Sequence, residues 1–532
     1  MDTRAARRAR CTRGTAAAAL LALGLTACSG FDDPESPESG DGEGAAGGTF
    51  SIAVGIDVDT LDPAGQTTTT VQNMVDYVVE TLMRVNDEGE VVPLLAKSVE
   101  TSEDGLTVDV ELQQDVVFHD GEPFDADAVV FNLERITDPE LAVPLGSPFE
   151  VIEKATAVDE DTVQITLTQP SPGFVSALSV TPAGMISPKS VEAEGNTYAD
   201  YQNPVGTGPY TFESYTAGES VEVSKYADYW GEEPHYDEVV FRIVPEAATR
   251  ESLLLAGQVD MIILPPVSDL EALEANDEVV VQIAPSDRTI FIALDNADEL
   301  LSDPRARQAL NYAVDKDAII DNVLFGAAEK MTAPMAESLF GYCETGAYDY
   351  DPEKAKQLLQ EAGAAGASLD LLTPSGRYVQ DAQAAEAVAG YLREAGLDVK
   401  VTTSDFPSFL ARVNAPRSAK TVDMHLLGWA PPYLDAEFAM QMFRKGTHPP
   451  AGLATSFYTD PKVEEFLAQA DVETDEDARA DAYCEASKLI WDQAPWIFLW
   501  TQSFPIVHSA DVTDIGYTPT EKFSAVYARP AD

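Results

Sequence analysis

The sequence predicts an α/β fold spread over two or three domains, and three observations carry that expectation. Its second half alternates strand and helix: Leu369 to Leu372 reads as strand, Val379 to Ala395 as helix stopped by Gly396, and Leu397 to Val401 as strand again. That is the rhythm of a parallel βαβ unit. Its first half is richer in short period-two runs, each the mark of a half-buried strand. A chain of 532 residues at 45% hydrophobic also buries more than one compact core holds.

Taken in order, Phe50, Ile52 and Val54 alternate as a strand until Thr60-Leu61-Asp62-Pro63 breaks it. From residue 71 to 84, Val71, Met74, Val75, Val78, Val79 and Leu82 keep helical spacing. Leu106, Val108, Val110 and Leu112 alternate again, as do Val163, Ile165 and Leu167, and Val221 and Val223 after the turn at Ala217-Gly218. Asp303-Pro304 and Asp351-Pro352 each set a capping carboxylate before a first-turn proline, and Gly326 and Gly363 stop the helices that follow. A short helix near Phe406 to Val413 leads to a strand from Met424 to Leu427. Thr474-Asp475-Glu476-Asp477 starts a last long helix through Trp491, its acids lacking the mid-loop glycine of a calcium loop.

The N-terminus places the chain outside the cytoplasm. Residues 1–28 carry Arg4, Arg7, Arg8, Arg10 and Arg13, then an apolar run from Thr15 to Leu25. The run is too short to span a bilayer and reads as a secretory signal. Its end, Leu25-Thr26-Ala27-Cys28, resembles the lipobox of bacterial lipoproteins, so Cys28 is the expected lipidated first residue of a tethered mature chain. Residues 29–48 are Gly-, Ser- and Pro-rich and acidic with no basic residue, a flexible linker. Cys11 leaves with the signal, and Cys343 and Cys484 are then either paired or separately buried.

Against 33 basic residues stand 91 acidic ones, a formal charge of −58. Such a surface repels phosphate backbones and anionic headgroups, which excludes nucleic acid as a partner. The five histidines, His119, His235, His425, His448 and His508, show no i, i+4 pair and no cysteine at metal spacing. Gly206-Thr207-Gly208 runs into Pro209-Tyr210 and is no phosphate loop, and no Gly-x-Ser-x-Gly elbow occurs. No metal, cofactor or catalytic residue is therefore expected.

Several segments in order resemble the extracytoplasmic solute-binding proteins of bacterial ABC importers, in the family for peptides, nickel chelates and opines. They include Thr60-Leu61-Asp62-Pro63, Pro93-Leu94-Leu95-Ala96, Asp104-Gly105-Leu106-Thr107, Phe118-His119-Asp120-Gly121 and Asp127 to Phe131. Gly206-Thr207-Gly208-Pro209-Tyr210 is the sharpest match, followed by Tyr229-Trp230, Ala256 to Asp260, Asp303 to Ala313, Gly428-Trp429 and Ala494-Pro495-Trp496. The resemblance implies a two-lobed periplasmic-binding-protein-like fold with an additional domain in the first lobe. Lobe one is expected at 49–84, 195–297 and 499–532, the additional domain at 85–194, and lobe two at 298–498. It implies a monomer that traps a small solute by lobe closure and delivers it to a membrane permease, without chemistry of its own. A secreted hydrolase is the alternative class.

For the solute, the resemblance offers free or blocked peptide, nickel chelate or opine. The peptide-binding branch typically holds the ammonium with an Asp three residues after the Gly-Trp tryptophan; here that position is Pro432, with Asp435 three further on. A solute with a blocked or absent α-ammonium is therefore expected to bind at least as well as a free peptide. Arg377-Tyr378 lies where some relatives place a carboxylate-binding Arg, and Trp429 and Tyr433 are candidates to stack on ligand. His425 could meet a nickel chelate, but within a buried strand it reads first as core. The expected ligand residues are thus Arg377, Tyr378, Trp429, Tyr433 and Asp435.

Cys28→Ala is expected to leave the precursor unprocessed at this site or to release protein into the medium. Fractionation of cells checks it, and unchanged membrane attachment contradicts the lipobox reading.

Overall fold

The computed structural model describes residues 47–198 and 200–531. The expected signal, Cys28 and all but the last two residues of the expected linker lie outside them. Two sheets organise the rest. The first has seven strands, in the order Val279–Ala284, Phe504–Ser509, Met261–Ile263, Thr49–Val54, Glu238–Ile243, Ser220–Lys225 and Tyr210–Thr216. Thr49–Val54 lies inside it, parallel to both its neighbours. The alternation seen in the sequence is its burial: Phe50 and Ile52 are fully enclosed while Thr49 faces water.

The second sheet has six strands, ordered Ala328–Lys330, Trp496–Gln502, Thr289–Leu294, Met424–Trp429, Ser368–Pro374 and Asp398–Ser404. The βαβ unit of the sequence is here: Ser368–Pro374 and Asp398–Ser404 run parallel, joined by helix Asp381–Glu394. Every residue of Thr289–Leu294 is buried. Ile290, Ile292 and Leu294 enter one apolar cluster and Phe291 and Ala293 the cluster on the opposite face. A strand covered on both faces reads as an unbroken apolar run.

A four-stranded antiparallel sheet, Ala96–Thr101, Thr107–Leu112, Thr162–Leu167 and Ile152–Ala157, forms the additional domain with helix Ala126–Ile136. This is a two-lobed α/β fold with an extra domain. Its chain crossings correct the expected limits at 297 and 498. The chain passes from the first sheet to the second at residues 285–288 and returns at Ser503. The expected limit at 297 falls just after Thr289–Leu294, a central strand of the second sheet.

Two helices differ from expectation. The helix expected over 71–84 is Thr69–Val75, after which the backbone is taken by the Gly-Thr-Gly turn. Tyr77 O accepts from Tyr210 N, and Val78 O from Gly208 N, each at 3.0 Å. A Cβ on Gly206 would sit 2.1 Å from Val78 O, so only glycine permits that approach. The single helix expected from Pro304 to Gly326 is two, Pro304–Ala313 and Lys316–Asn322, because Val314 is extended and Asp315 caps anew through Ala318 N.

Cys343 is joined to Cys484 on helix Glu476–Gln493, with Cα atoms 5.5 Å apart and a sequence separation of 141. In the chain-entropy picture a loop of that size contributes about 5 kcal/mol. Replacing both cysteines by serine is expected to lower unfolding free energy by about 2–5 kcal/mol in urea melts. Alkylation of non-reduced mature protein should label neither residue; labelling of both refutes the pairing.

Candidate functional site

Along one edge of the second sheet four strand ends converge: Pro374, Ser404, Trp429 and Gln502 are all carboxyl-terminal ends. Thr289 begins its antiparallel strand at the same edge. Both crossings leave from there, so this edge faces the joint between the lobes. In open α/β sheets, ligands lie outside the carboxyl ends of strands.

At the joint a buried ion pair ties the outgoing crossing to the C-terminal segment. Arg288 Nη2 donates to Glu521 Oε2 at 2.5 Å and Nε to Oε1 at 2.9 Å, with Ser286 Oγ also donating to Oε1 at 2.9 Å. Burial opposes ionisation of Glu521, yet Arg288 outweighs it and holds the carboxyl below its usual range. Asp287, between Ser286 and Arg288 in sequence, is 0% exposed, and neither carboxyl oxygen accepts a hydrogen bond from another described residue. Burial pushes its pKa well above the carboxylate range, Glu521 adds to that, and Arg288 opposes it.

Arg377 sits in the loop after strand Ser368–Pro374. The carboxylate of Asp381 gathers the backbone N–H groups of Gly376, Arg377, Tyr378 and Ala382 at 2.8–3.2 Å, which fixes that loop. The Arg377 guanidinium has no ion pair among the described residues. It rests over the rings of Tyr378 and Phe406, at 5.0 and 5.3 Å. Burial and then Arg288 push its pKa down, against Tyr378, Glu521 and Asp381. Tyr378 donates to Gly428 O at 3.3 Å, and a Cβ on Gly428 would meet its ring at 2.5 Å. The glycine of Gly-Trp is therefore there for Tyr378.

Trp429 stacks on Phe438 with centroids 5.5 Å apart, and its carbonyl accepts from Thr289 Oγ1. Its indole N–H is buried without an acceptor among the described residues. Tyr433, 1% exposed, is packed into the core of the additional domain together with Phe438. It thus anchors lobe two against that domain instead of offering a face to solvent. Asp435 is likewise committed: Arg479 holds both its oxygens at 2.7 Å, and Oδ1 caps Glu437 N. Phe340 pairs with the backbone on either side of it, and Arg479 lies over the Phe340 ring. An acid so occupied serves the structure of this loop, in contrast to the expectation that places Asp435 among the ligand residues. His425 is core, 0% exposed and bonded to Thr455.

The structure therefore brings Arg377, Tyr378 and Trp429 to one strand edge and places Tyr433 and Asp435 in the support behind it. Pro432 lines a cavity of about 680 Å³ with residues of 76–94 and 514–527, among them Glu80, Lys522 and Tyr527. Sequence reading missed Asp287, Arg288 and Glu521. Charged residues in Pro285-Ser286-Asp287-Arg288, between two apolar strands, were the available signal.

The model of the family described as bacterial extracellular solute-binding proteins, family 5 Middle, matches residues 90–450. The glutathione-binding protein GsiB of Pectobacterium atrosepticum is 33% identical over 476 residues, 89% of this chain and 92% of that protein. The periplasmic binding protein DppA of Helicobacter pylori, solved with the peptide STSA, is 26% identical with a TM-score of 0.78, covering 90% of this chain and 98% of its own. NikZ of Campylobacter jejuni, solved with Ni(L-His), is 27% identical with a TM-score of 0.78, covering 90% and 99%.

Committed and uncommitted arginines should differ in stability. Arg479→Met leaves the Asp435 carboxylate buried alone and is expected to cost about 3–5 kcal/mol. Arg377→Met breaks no ion pair and is expected to cost much less. Urea denaturation of both variants checks the contrast, and equal losses contradict it.

Proposed function

The chain belongs to family 5 of the bacterial extracellular solute-binding proteins, the substrate-binding components of ABC importers, and from that membership we propose that it captures a peptide-like solute at the joint between its lobes. The observation that carries this reading is the convergence of Arg377, Tyr378 and Trp429 on the strand edge from which both crossings leave. Arg377 presents a planar fork to a solute carboxylate, and Trp429 supplies an aromatic wall and one N–H. Tyr378 sets the position of Arg377 beneath them. Tyr433 and the Asp435–Arg479 pair hold the loop that carries Trp429.

Closure draws the two sheets together about residues 285–288 and Ser503, the limits taken here for the lobes. The protein acts by binding alone, and Cys28 tethers it outside the cell. Among the described residues no helix is long and apolar enough to cross a membrane. Glutathione and short peptides are the first solutes to try: one relative is named for glutathione and another was solved with a peptide. None of the relatives quoted is named as a hydrolase, which disfavours the catalytic alternative.

Calorimetry with glutathione and a tripeptide pool should give stoichiometric binding without turnover, and small-angle scattering should show a smaller radius of gyration on binding. Arg377→Met is expected to weaken binding by about tenfold to a hundredfold, the worth of a charge-assisted hydrogen-bonded pair. Unchanged affinity in that variant refutes the role given to Arg377.

A further inference from the structure

Lobe two meets the additional domain of the first lobe along the segment that follows Trp429. Tyr433 and Phe438 enter that domain's apolar core. Beside them, a Cβ on Gly173 would lie 2.3 Å from Glu437 Oε2 and 3.5 Å from Arg479 Nη2. Gly173 is buried and precedes the short helix Phe174–Ala177 of the additional domain, and Glu437 lies in Ala436–Ala439 of lobe two. A second touch is made where a Cβ on Gly105 would lie 3.2 Å from Thr474 Cγ2. The φ of Gly173 is −74°, open to any residue. Its missing side chain therefore answers to Glu437 and not to backbone strain.

Glu437 is the odd acid of its surroundings. Three carboxylates, Asp435, Glu437 and Asp471, share two arginines. Arg479 holds both oxygens of Asp435 at 2.7 Å, and Arg444 donates to Asp471 at 2.6 Å. Among the described residues none donates a hydrogen bond to the Glu437 carboxyl or pairs with it; the two arginines are bridged to the other acids. Asp435 on its own segment, Asp471 after helix Pro461–Ala470, Arg444 and Arg479 are the charged groups that face it. The phenols of Tyr433 and Tyr483 lie close by. None of these belongs to the additional domain. Burial, and after it Asp435, push the Glu437 carboxyl up to about 7 against Arg479, while Asp471 adds to the rise and Arg444 opposes it.

Resting on the reading of the joint as the solute site, we propose that Glu437 is a pH-sensitive latch: neutral, it lets lobe two dock on the additional domain and hold the solute, and ionised, it favours their parting and release. Opening about residues 285–288 and Ser503 draws Gly173 away from Glu437 and lets water reach the carboxyl. In water the group returns to the ordinary carboxylate range. The docked form therefore carries one proton more than the open form between the ordinary value of 4.5 and about 7. Docking is favoured in full below that window, weakens as pH rises through it, and is constant above it.

Small-angle scattering of the full mature chain without solute tests this at about pH 5.5 and about pH 7.5, either side of most of the change. Wild-type protein is expected to show the larger radius of gyration at the higher pH. Glu437→Gln, uncharged and of the same shape, is expected to keep the smaller radius at both. Gly173→Ala forces the carboxyl out of the contact and is expected to lose the dependence as well. Calorimetry with glutathione and a tripeptide pool reads the consequence: relative to Glu437→Gln, wild-type affinity is expected to fall about tenfold between the two pH values. The wild-type change in radius stands as a test even where a variant does not fold. A wild-type radius independent of pH, or a dependence that survives both substitutions, overturns the latch. Solute binding whose ratio to Glu437→Gln is the same at both pH values also overturns it, and leaves the joint as the solute site. Absence of solute binding at both pH values overturns that site, and the scattering then decides the latch by itself.

Discussion

The joint between the lobes depends on the buried pair of Arg288 and Glu521. Arg288 is the last residue of the outgoing crossing, and Glu521 lies in the segment that follows the return through Ser503. Neither charge could be buried alone: an unpaired ion in that setting costs several kcal/mol. Together, with Ser286 on one carboxylate oxygen and Asn73 holding the Glu521 carbonyl, they fix where the outgoing crossing meets the first lobe.

Around the joint, charges divide into those already spent and those held ready. Asp62 with Arg135, Asp435 with Arg479 and Glu521 with Arg288 are each buried, paired and hydrogen-bonded. Such pairs add little net stability but strongly penalise alternatives that would separate them. Arg377 is different in kind, resting on two rings with its loop fixed by Asp381. A guanidinium positioned in advance loses less freedom when an anion arrives. The disulfide works to the same end at one remove. It ties Cys343, three residues from Phe340, to the helix carrying Arg479, so the loop bearing Trp429 is braced from two sides.

Local features were legible in the sequence where the cause is local. Alternation gave Thr49–Val54 and Thr107–Leu112, capping acids gave the starts of Pro304–Ala313 and Pro352–Glu361, and the short helix Phe406–Val413 fell where its apolar spacing put it. The helix at 71–84 was overcalled because its apolar spacing continues past Val75. What stops it is a turn more than 120 residues later, whose backbone takes the carbonyls of Tyr77 and Val78. The site was half legible for the same reason. Arg377, Tyr378 and Trp429 stand near one another through a single sheet and could be picked from motif order. Asp435 was misjudged because its partner is 44 residues away. Arg288 and Glu521 were missed because they meet only when the chain returns 233 residues later.

The charge of the whole chain bears on which solute can reach such a site. At −58 the surface repels anions, but at physiological salt that repulsion fades beyond about 8 Å. A solute is therefore not guided from afar; it feels the arginines only once it lies between the lobes, where water is scarce and their field is least screened. A net anion must first cross the negative rim, and a net cation is drawn to scattered surface acids as readily as to the joint. A zwitterion escapes both effects, since it carries no net charge outside and two opposite charges inside. The donors proposed at Arg377 and Trp429 suit the carboxylate of such a solute, and closure would strengthen that interaction by removing the water that competes for it.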